Sequence, residues 1–149
     1  MKKTIFIITV FCFLVSLSIQ AQDIIPKANS YKTNGEVFKL TQDIHIYYSG
    51  DLKETAEFLT KSLSLPTGWD FAIKKSKSIK DRSIFISTNN SKNIEKEGYE
   101  LSVKNNSVKI IGSSQAGVLN GIQTLLQMLP VEIYNKKRQN NINWKITGA

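Results

Sequence analysis

The chain has 149 residues, with 20 Lys or Arg against 12 Asp or Glu and a formal net charge of +8. Its single cysteine and single histidine exclude a disulfide framework and any site that needs several Cys or His ligands. The charge does not by itself indicate nucleic acid, because the densest basic runs, 74–77 and 136–138, lack interleaved aromatic residues. We expect both runs to lie in solvated loops or at strand ends, and we expect no nucleic-acid partner.

Residues 1–21 have the three parts of a secretory signal peptide. Two lysines precede an apolar stretch over 5–17, and a run of small and polar residues then ends at Ala21. The apolar stretch is shorter than the roughly 20 residues of a membrane-spanning helix. We therefore expect cleavage after Ala21, export to the periplasm, the cell surface or the medium, and no membrane contact afterwards. Cleavage would also remove Cys12 and leave the mature chain without a thiol.

The expected mature part, residues 22–149, has about the size of one domain with a single core. It alternates between strand-like and helix-like patterns. Period-two alternation of apolar and polar residues predicts strands at 35–40 and 44–48. The second of these strands places His45 and Tyr47 together on one face.

A one-sided surface helix follows, predicted by apolar residues at helical spacing, namely Leu52, Ala56, Leu59 and Leu63. Asp51, with Glu54 three residues later, resembles the capping box that begins a helix. The run Pro-Thr-Gly at 66–68 is expected to end it.

Further strands are predicted at 71–74 and 83–88, and the second is apolar on both faces, which is typical of a central strand. A hairpin is predicted from the alternation over 99–104, which resumes at 108–110. The two asparagines between these strands tolerate the positive φ of a tight turn.

The segment 112–131 contains no charged residue, yet its apolar residues recur with strong helical periodicity up to Pro130. Gly117 and Gly121, four residues apart, form a smooth stripe that another backbone can approach. A surface helix normally has a charged face. We therefore expect this helix to be covered on a second side, by another domain or another chain. A last strand begins at Trp144, and we expect a further domain beyond Ala149.

No set of residues in the sequence has the pattern of a catalytic, cofactor or metal site. His45 has no second histidine with which to build a metal site or a catalytic triad. The glutamates at 95, 97 and 100 flank Gly98 in a predicted loop, without the features of a catalytic carboxylate pair. We predict no catalytic residue, no cofactor and no metal.

Three segments resemble the end of the non-catalytic N-terminal domain of family 20 glycoside hydrolases, the β-N-acetylhexosaminidases. They are GYELSV at 98–103, VKIIG at 108–112 and AGVLNGIQTLLQMLP at 116–130, and the Ile-Pro-Lys at 25–27 is similar to the opening of that domain. The resemblance implies an α+β fold, with an antiparallel (mixed) sheet, two helices packed on one face, and a (β/α)₈ catalytic barrel beside them.

The resemblance also implies that catalysis belongs to the barrel. There a Glu acts as general acid, and an Asp orients the 2-acetamido group of the substrate, which is the nucleophile. Neither residue has a counterpart here, so the chain alone would be inactive, would buttress the missing barrel and would meet glycan substrate only through it. The barrel-facing side of the last helix would include Gly117, Gly121, Gln123 and Leu126.

Two alternatives stay open. Family 84 glycoside hydrolases have a similar N-terminal domain with a comparable helix. The chain could instead be a free-standing exported interaction module, which would bind glycans through exposed aromatic residues such as Tyr47, Trp69 and Trp144.

Overall fold

The computed structural model describes residues 29–89 and 94–149. The predicted signal peptide and its cleavage site lie outside the described residues. In chain order the elements are strands β1 (Val37–Lys39) and β2 (His45–Tyr48), helix α1 (Lys53–Thr67), strands β3 (Ile73–Lys75), β4 (Ser83–Thr88), β5 (Tyr99–Lys104) and β6 (Ser107–Gly112), helix α2 (Gln115–Met128), a 3₁₀ turn (Val131–Tyr134) and strand β7 (Lys145–Thr147). Each strand and helix predicted from the sequence is present within a few residues of its expected position.

Five strands form one mixed sheet in the order β3-β2-β4-β6-β5. Strand β2 pairs in parallel with β3 and β4, β4 pairs in parallel with β6, and β5 and β6 form the antiparallel hairpin. The α+β class with a mixed sheet is confirmed, although most pairings in this sheet are parallel. Parallel neighbours need crossover connections, and α1 is the crossover between β2 and β3. The apolar strand β4 is central, as predicted.

One face of the five-stranded sheet is buried beneath the helices. Ile46 lies opposite Ile84, and Ile86 lies opposite Ile110, and each of these side chains is at most 1% exposed. They form one cluster with the apolar sides of the two helices, which contribute Ala56, Leu59, Leu63, Val118, Ile122 and Leu125. The predicted packing of two helices on one face of the sheet is present. We call the opposite face of the sheet, which carries Tyr47, Phe85 and Lys109, the open face.

A second sheet of two strands closes the side of the core next to β5. Strand β1 pairs antiparallel with β7, and Phe38 and Ile146 lie opposite each other with 1% exposure each. The Asn34 amide donates to the Val103 carbonyl of β5 over 2.9 Å. The two ends of the described chain are therefore joined to the hairpin.

The ends of α1 differ from the prediction. The capping box at Asp51 and Glu54 is wrong, because the N-cap is Leu52 and no side chain caps the helix. The helix begins one residue later than a cap at Asp51 requires. At the other end Pro66 lies inside the last turn, and the helix ends where Gly68 adopts the left-handed conformation with φ of 70°.

The hairpin turn is fixed by tertiary contacts. Neither Asn105 nor Asn106 is among the described non-glycine residues with positive φ, which are Arg82, Glu97 and Asn141. The Asn105 side-chain carbonyl accepts from the Val37 N–H over 2.9 Å, and the Glu36 carboxylate accepts from the Asn105 N–H over 2.7 Å. Asn105 is therefore held by the chain before β1, and the expected positive φ is wrong.

Two neighbouring isoleucines of β6 test the assignment of the two sheet faces. Ile110→Ala is expected to lower the free energy of unfolding by about 2–5 kcal/mol, because Ile110 is fully buried under the helices. Ile111 is half-buried on the open face, so Ile111→Ala should lower the free energy of unfolding by only about 1 kcal/mol. Urea titration of both variants measures this difference, and equal losses would contradict the assignment.

Candidate functional site

The close approach predicted at the glycines of α2 is made by this chain itself. The Ser114 side chain caps the helix by accepting from the Gly117 N–H over 3.2 Å. A Cβ at Gly117 would collide with the carbonyl oxygen of Gly98, in the loop before β5. Gly98 is therefore in backbone contact with α2, at the position where a partner was expected.

The next glycine of the stripe is covered in the same way. A Cβ at Gly121 would lie 2.5 Å from Cγ2 of Ile110 and 3.2 Å from the ring of Tyr99. The Tyr99 hydroxyl also shares a hydrogen bond of 2.6 Å with the Thr124 hydroxyl, one turn further along α2. These contacts fix the position of α2 on the hairpin.

The four positions that the sequence assigned to one barrel-facing side of α2 do not share a side. Gly117 and Gly121 are buried against the hairpin, Leu126 is 5% exposed within the core, and Gln123 is exposed. Gly117, Gly121 and Leu126 are therefore covered by other parts of this chain, namely the hairpin and the core. Of the four, Gln123 is the position open to a partner.

The side of α1 that is nearest α2 carries a second apolar stripe. The Gln115 amide at the start of α2 donates to the Thr55 hydroxyl over 3.1 Å, so the first turns of the two helices lie side by side. Phe58, Ser62 and Leu65 follow Thr55 at helical spacing and continue along this side. Phe58 is 41% exposed and Leu65 is 47% exposed.

The facing stripe of α2 is also uncharged. Leu119 and Gln123 follow Gln115 at four-residue spacing, and the first is half-buried and the second exposed. The two stripes together form a surface that we call the helix groove, made of Phe58, Ser62, Leu65, Leu119 and Gln123. It exposes apolar side chains, and the charged residues Glu54 and Lys61 of α1 lie next to it at helical spacing.

The 3₁₀ turn after α2 adds further exposed apolar surface. Val131 is 75% exposed and Tyr134 is 55% exposed, while Ile133 between them is buried in the core. Desolvation by burial raises the pKa of the Tyr134 hydroxyl above its ordinary value of 10.0. From 112 to 134 the sequence contains one charged residue, Glu132.

The side chains that carry reactive chemistry are not assembled into a reaction centre. Among residues 29–89 and 94–149, no three His, Cys, Asp or Glu side chains form a group that could hold a metal ion. The His45 ring lies on the open face, where Nδ1 is 3.1 Å from the Asp43 carbonyl oxygen. Over the same residues, no helix has both the length and the apolarity to cross a membrane.

The aromatic residues of the alternative binding module do not form one surface. Trp144 is 4% exposed and belongs to the core. Trp69 is half-buried, packs against the core and makes an edge contact with Phe71. Tyr47 lies on the open face of the sheet. The described structure therefore does not favour a glycan site built from these three residues.

The sequence model described as "Glycosyl hydrolase family 20, domain 2" matches residues 21–145. The chain therefore belongs to glycosyl hydrolase family 20, and the resemblance found in the sequence is confirmed. The chain is also 30% identical over 112 residues to a beta-hexosaminidase of Porphyromonas gingivalis (strain ATCC BAA-308 / W83). That match covers 74% of this chain and 14% of the relative. The family 84 and free-standing alternatives are not favoured.

Solved structures of the family have the same fold over most of this chain. The GH20 β-N-acetylhexosaminidase of Streptomyces coelicolor A3(2) is 26% identical with a TM-score of 0.74, covering 87% of this chain and 26% of that one. The Streptomyces plicatus N-acetyl-β-hexosaminidase is 23% identical with a TM-score of 0.71, and the match covers 84% of this chain and 24% of that one. The Flavobacterium johnsoniae chitobiase is 23% identical with a TM-score of 0.61, and the match covers 84% of this chain and 19% of that one. This chain thus spans about a quarter or less of these relatives, which extend beyond this domain into a catalytic barrel.

Sequence reasoning missed the α1 side of the helix groove. It treated α1 as a helix with one apolar and one charged side, because the core residues dominate its pattern. The signal for the second stripe was the spacing of Phe58 and Leu65, seven residues apart and next to the core stripe.

The glycine contacts predict an unusual response to alanine. Gly117→Ala should destabilise the protein by about 1–3 kcal/mol, because the added methyl group meets backbone atoms that cannot move away easily. In an uncrowded helix the same change would stabilise by about 1 kcal/mol. Gln123→Ala is the control in the same helix, and its unfolding free energy should stay within about 0.5 kcal/mol of wild type. Thermal or urea unfolding measures both, and a stabilising Gly117→Ala would show that no close approach exists.

Proposed function

We propose that this chain is the exported N-terminal accessory domain of a β-N-acetylhexosaminidase and that the helix groove docks against the catalytic domain. The observation that carries this proposal is the pair of half-exposed apolar side chains Phe58 and Leu65 beside α2, in a chain that belongs to family 20. The parent enzyme would remove terminal N-acetylhexosamine from glycans, in keeping with the names of its relatives.

Burial supports the groove as an interface between domains. A solvated helix surface normally carries charge, and α1 does so on its far side, where Lys53 and Glu57 form an ion pair of 3.7 Å. On the side towards α2, the exposed apolar residues Phe58 and Leu65 lie beside the exposed charged residues Glu54 and Lys61 at helical spacing. Apolar patches of this kind on a domain surface mark contacts with another protein surface.

The placement of the reactive side chains supports catalysis by another domain. Family 20 chemistry uses an acidic pair and the acetamido group of the substrate. The acidic residues near α2 have other surroundings: Glu97 has a positive φ in a loop, where its carbonyl accepts from the Asn120 amide over 3.1 Å. We infer that this domain gives the catalytic domain a supporting surface and contributes no reacting group.

An activity assay tests the assignment of catalysis to another domain. The purified chain should show no hydrolysis of 4-nitrophenyl N-acetyl-β-glucosaminide above a buffer control, while a family 20 enzyme with its barrel, assayed in parallel, should release nitrophenol. Turnover that copurifies with the chain through successive columns would contradict the proposal.

Charge in the helix groove should reduce self-association of the chain. Leu65→Lys is expected to leave the unfolding free energy within about 0.5 kcal/mol of wild type, because the side chain is half exposed. It should also reduce concentration-dependent association in sedimentation velocity, since the exposed apolar surface is broken. Val37→Lys is the matched control, at a position 41% exposed on β1 and away from the groove. If Leu65→Lys and Val37→Lys reduce the association equally, the helix groove is not the surface through which the chain associates.

Export is tested at the N-terminus of the protein. When the gene is expressed with its leader in a bacterium with a secretory pathway, we expect the mature chain to begin at Gln22, after cleavage behind Ala21. N-terminal sequencing or intact-mass measurement of the exported fraction checks the position. A chain that stays in the cytoplasm and begins with Met1 would disprove export.

A further inference from the structure

The open face of the sheet carries an aromatic row between lysines. Strand register places Lys74, Tyr47, Phe85, Lys109 and Ser102 side by side across all five strands. At the usual spacing of strands, the two lysines are about 14 Å apart. We call these five residues the open-face row. They lie on the opposite side of the sheet from the helix groove.

The Tyr47 ring has aromatic neighbours on its own strand and at the paired position of β4. The His45 ring stacks on it with a centroid distance of 6.3 Å and an interplanar angle of 27°. Phe85 is 4% exposed, although both described helices lie on the other face of the sheet. Its neighbours in the row are Tyr47 and Lys109. Tyr47 is half-exposed and accessible to a ligand, while its ring stacks on His45.

The charge around this ring is mainly positive. The strand register puts Lys74, Lys104 and Lys109 on the open face, against Glu100 as the acidic residue there. In the described part of the chain, the ion pairs are Lys53–Glu57 and Arg82–Asp43, so none of these lysines is neutralised. The hydroxyl groups of Ser102 and Ser107 lie between the lysines of β5 and β6.

We propose that the open-face row binds an anionic polysaccharide, with a sugar ring stacked on Tyr47 and its carboxylates held by Lys74 and Lys109. The exposed or half-exposed positions on both sides of the buried Phe85 are spread across the sheet, which suits an extended polymer. Lysine ammonium groups on both sides of the ring complement a chain that repeats a negative charge, and the serine hydroxyls can pair with sugar hydroxyls. In this proposal the domain itself contacts a glycan, whereas the family resemblance implied contact only through the barrel. The proposal is independent of the helix groove.

Titration calorimetry of the purified chain with a galacturonic acid oligomer tests this binding surface. At about 0.15 M salt we expect binding of this oligomer and none of a neutral N-acetylglucosamine oligomer of the same length. Lys74→Gln, at an exposed edge strand where folding is not at risk, should weaken binding about threefold. Tyr47→Ala should weaken it about tenfold, by the usual size of a stacking contact.

Matched variants separate this row from general surface charge. Lys145→Gln removes another exposed lysine, on β7, and Tyr31→Ala removes a tyrosine that is 44% exposed. Both should bind the acidic oligomer as wild type does. The proposal is overturned if wild type does not bind this oligomer, if Lys145→Gln weakens binding as much as Lys74→Gln, or if a single-stranded oligothymidylate binds as tightly. Circular dichroism of each variant confirms its fold, and Lys74→Gln decides the test if Tyr47→Ala unfolds.

Discussion

The position of the helical layer depends on the contact between the glycines of α2 and the hairpin. Gly117 and Gly121 let the helix backbone reach Gly98 and the side chains of Ile110 and Tyr99, at distances that leave no room for a methyl group. Because packed interiors tolerate little overpacking, this contact sets the height and the direction of α2 on the sheet. The bond between Gln115 and Thr55 then brings α1 alongside.

The helix groove follows from this arrangement. With α2 packed onto the hairpin, its buried residues point to the sheet, and Gln115 and Leu119 lie on the side next to α1. Phe58 and Leu65 remain half exposed, and each would still gain about 1 kcal/mol when covered. The domain thus has a core of its own and leaves a partly apolar surface for another domain. The proposed barrel contact uses this surface, on the other side of the sheet from Tyr47 and Lys109.

The sequence predicted most of the fold, because period-two and helical patterns report local burial directly. The central position of β4 followed from Ile84 and Ile86 flanking Phe85, all apolar. The sequence did not predict the predominance of parallel pairing, since strand order depends on contacts between distant segments. It also placed Gly117, Gly121 and Leu126 on a partner-facing side, because helical periodicity shows that a stripe is covered but not by what. Phe58 and Leu65 were missed for the same reason: their role depends on α2, more than fifty residues away in the sequence. The cross-strand row at Tyr47 could not be found before the register of five strands was known.

The central claim is that the helix groove of this chain is covered by a catalytic domain of the same polypeptide. The most direct measurement is to read the coding DNA beyond the Ala149 codon in the source genome. The account predicts a reading frame that stays open into a (β/α)₈ barrel with an adjacent Asp-Glu pair, as the small share of the relatives spanned by this chain suggests. A stop codon directly after Ala149 would contradict it and would leave the groove without its proposed occupant.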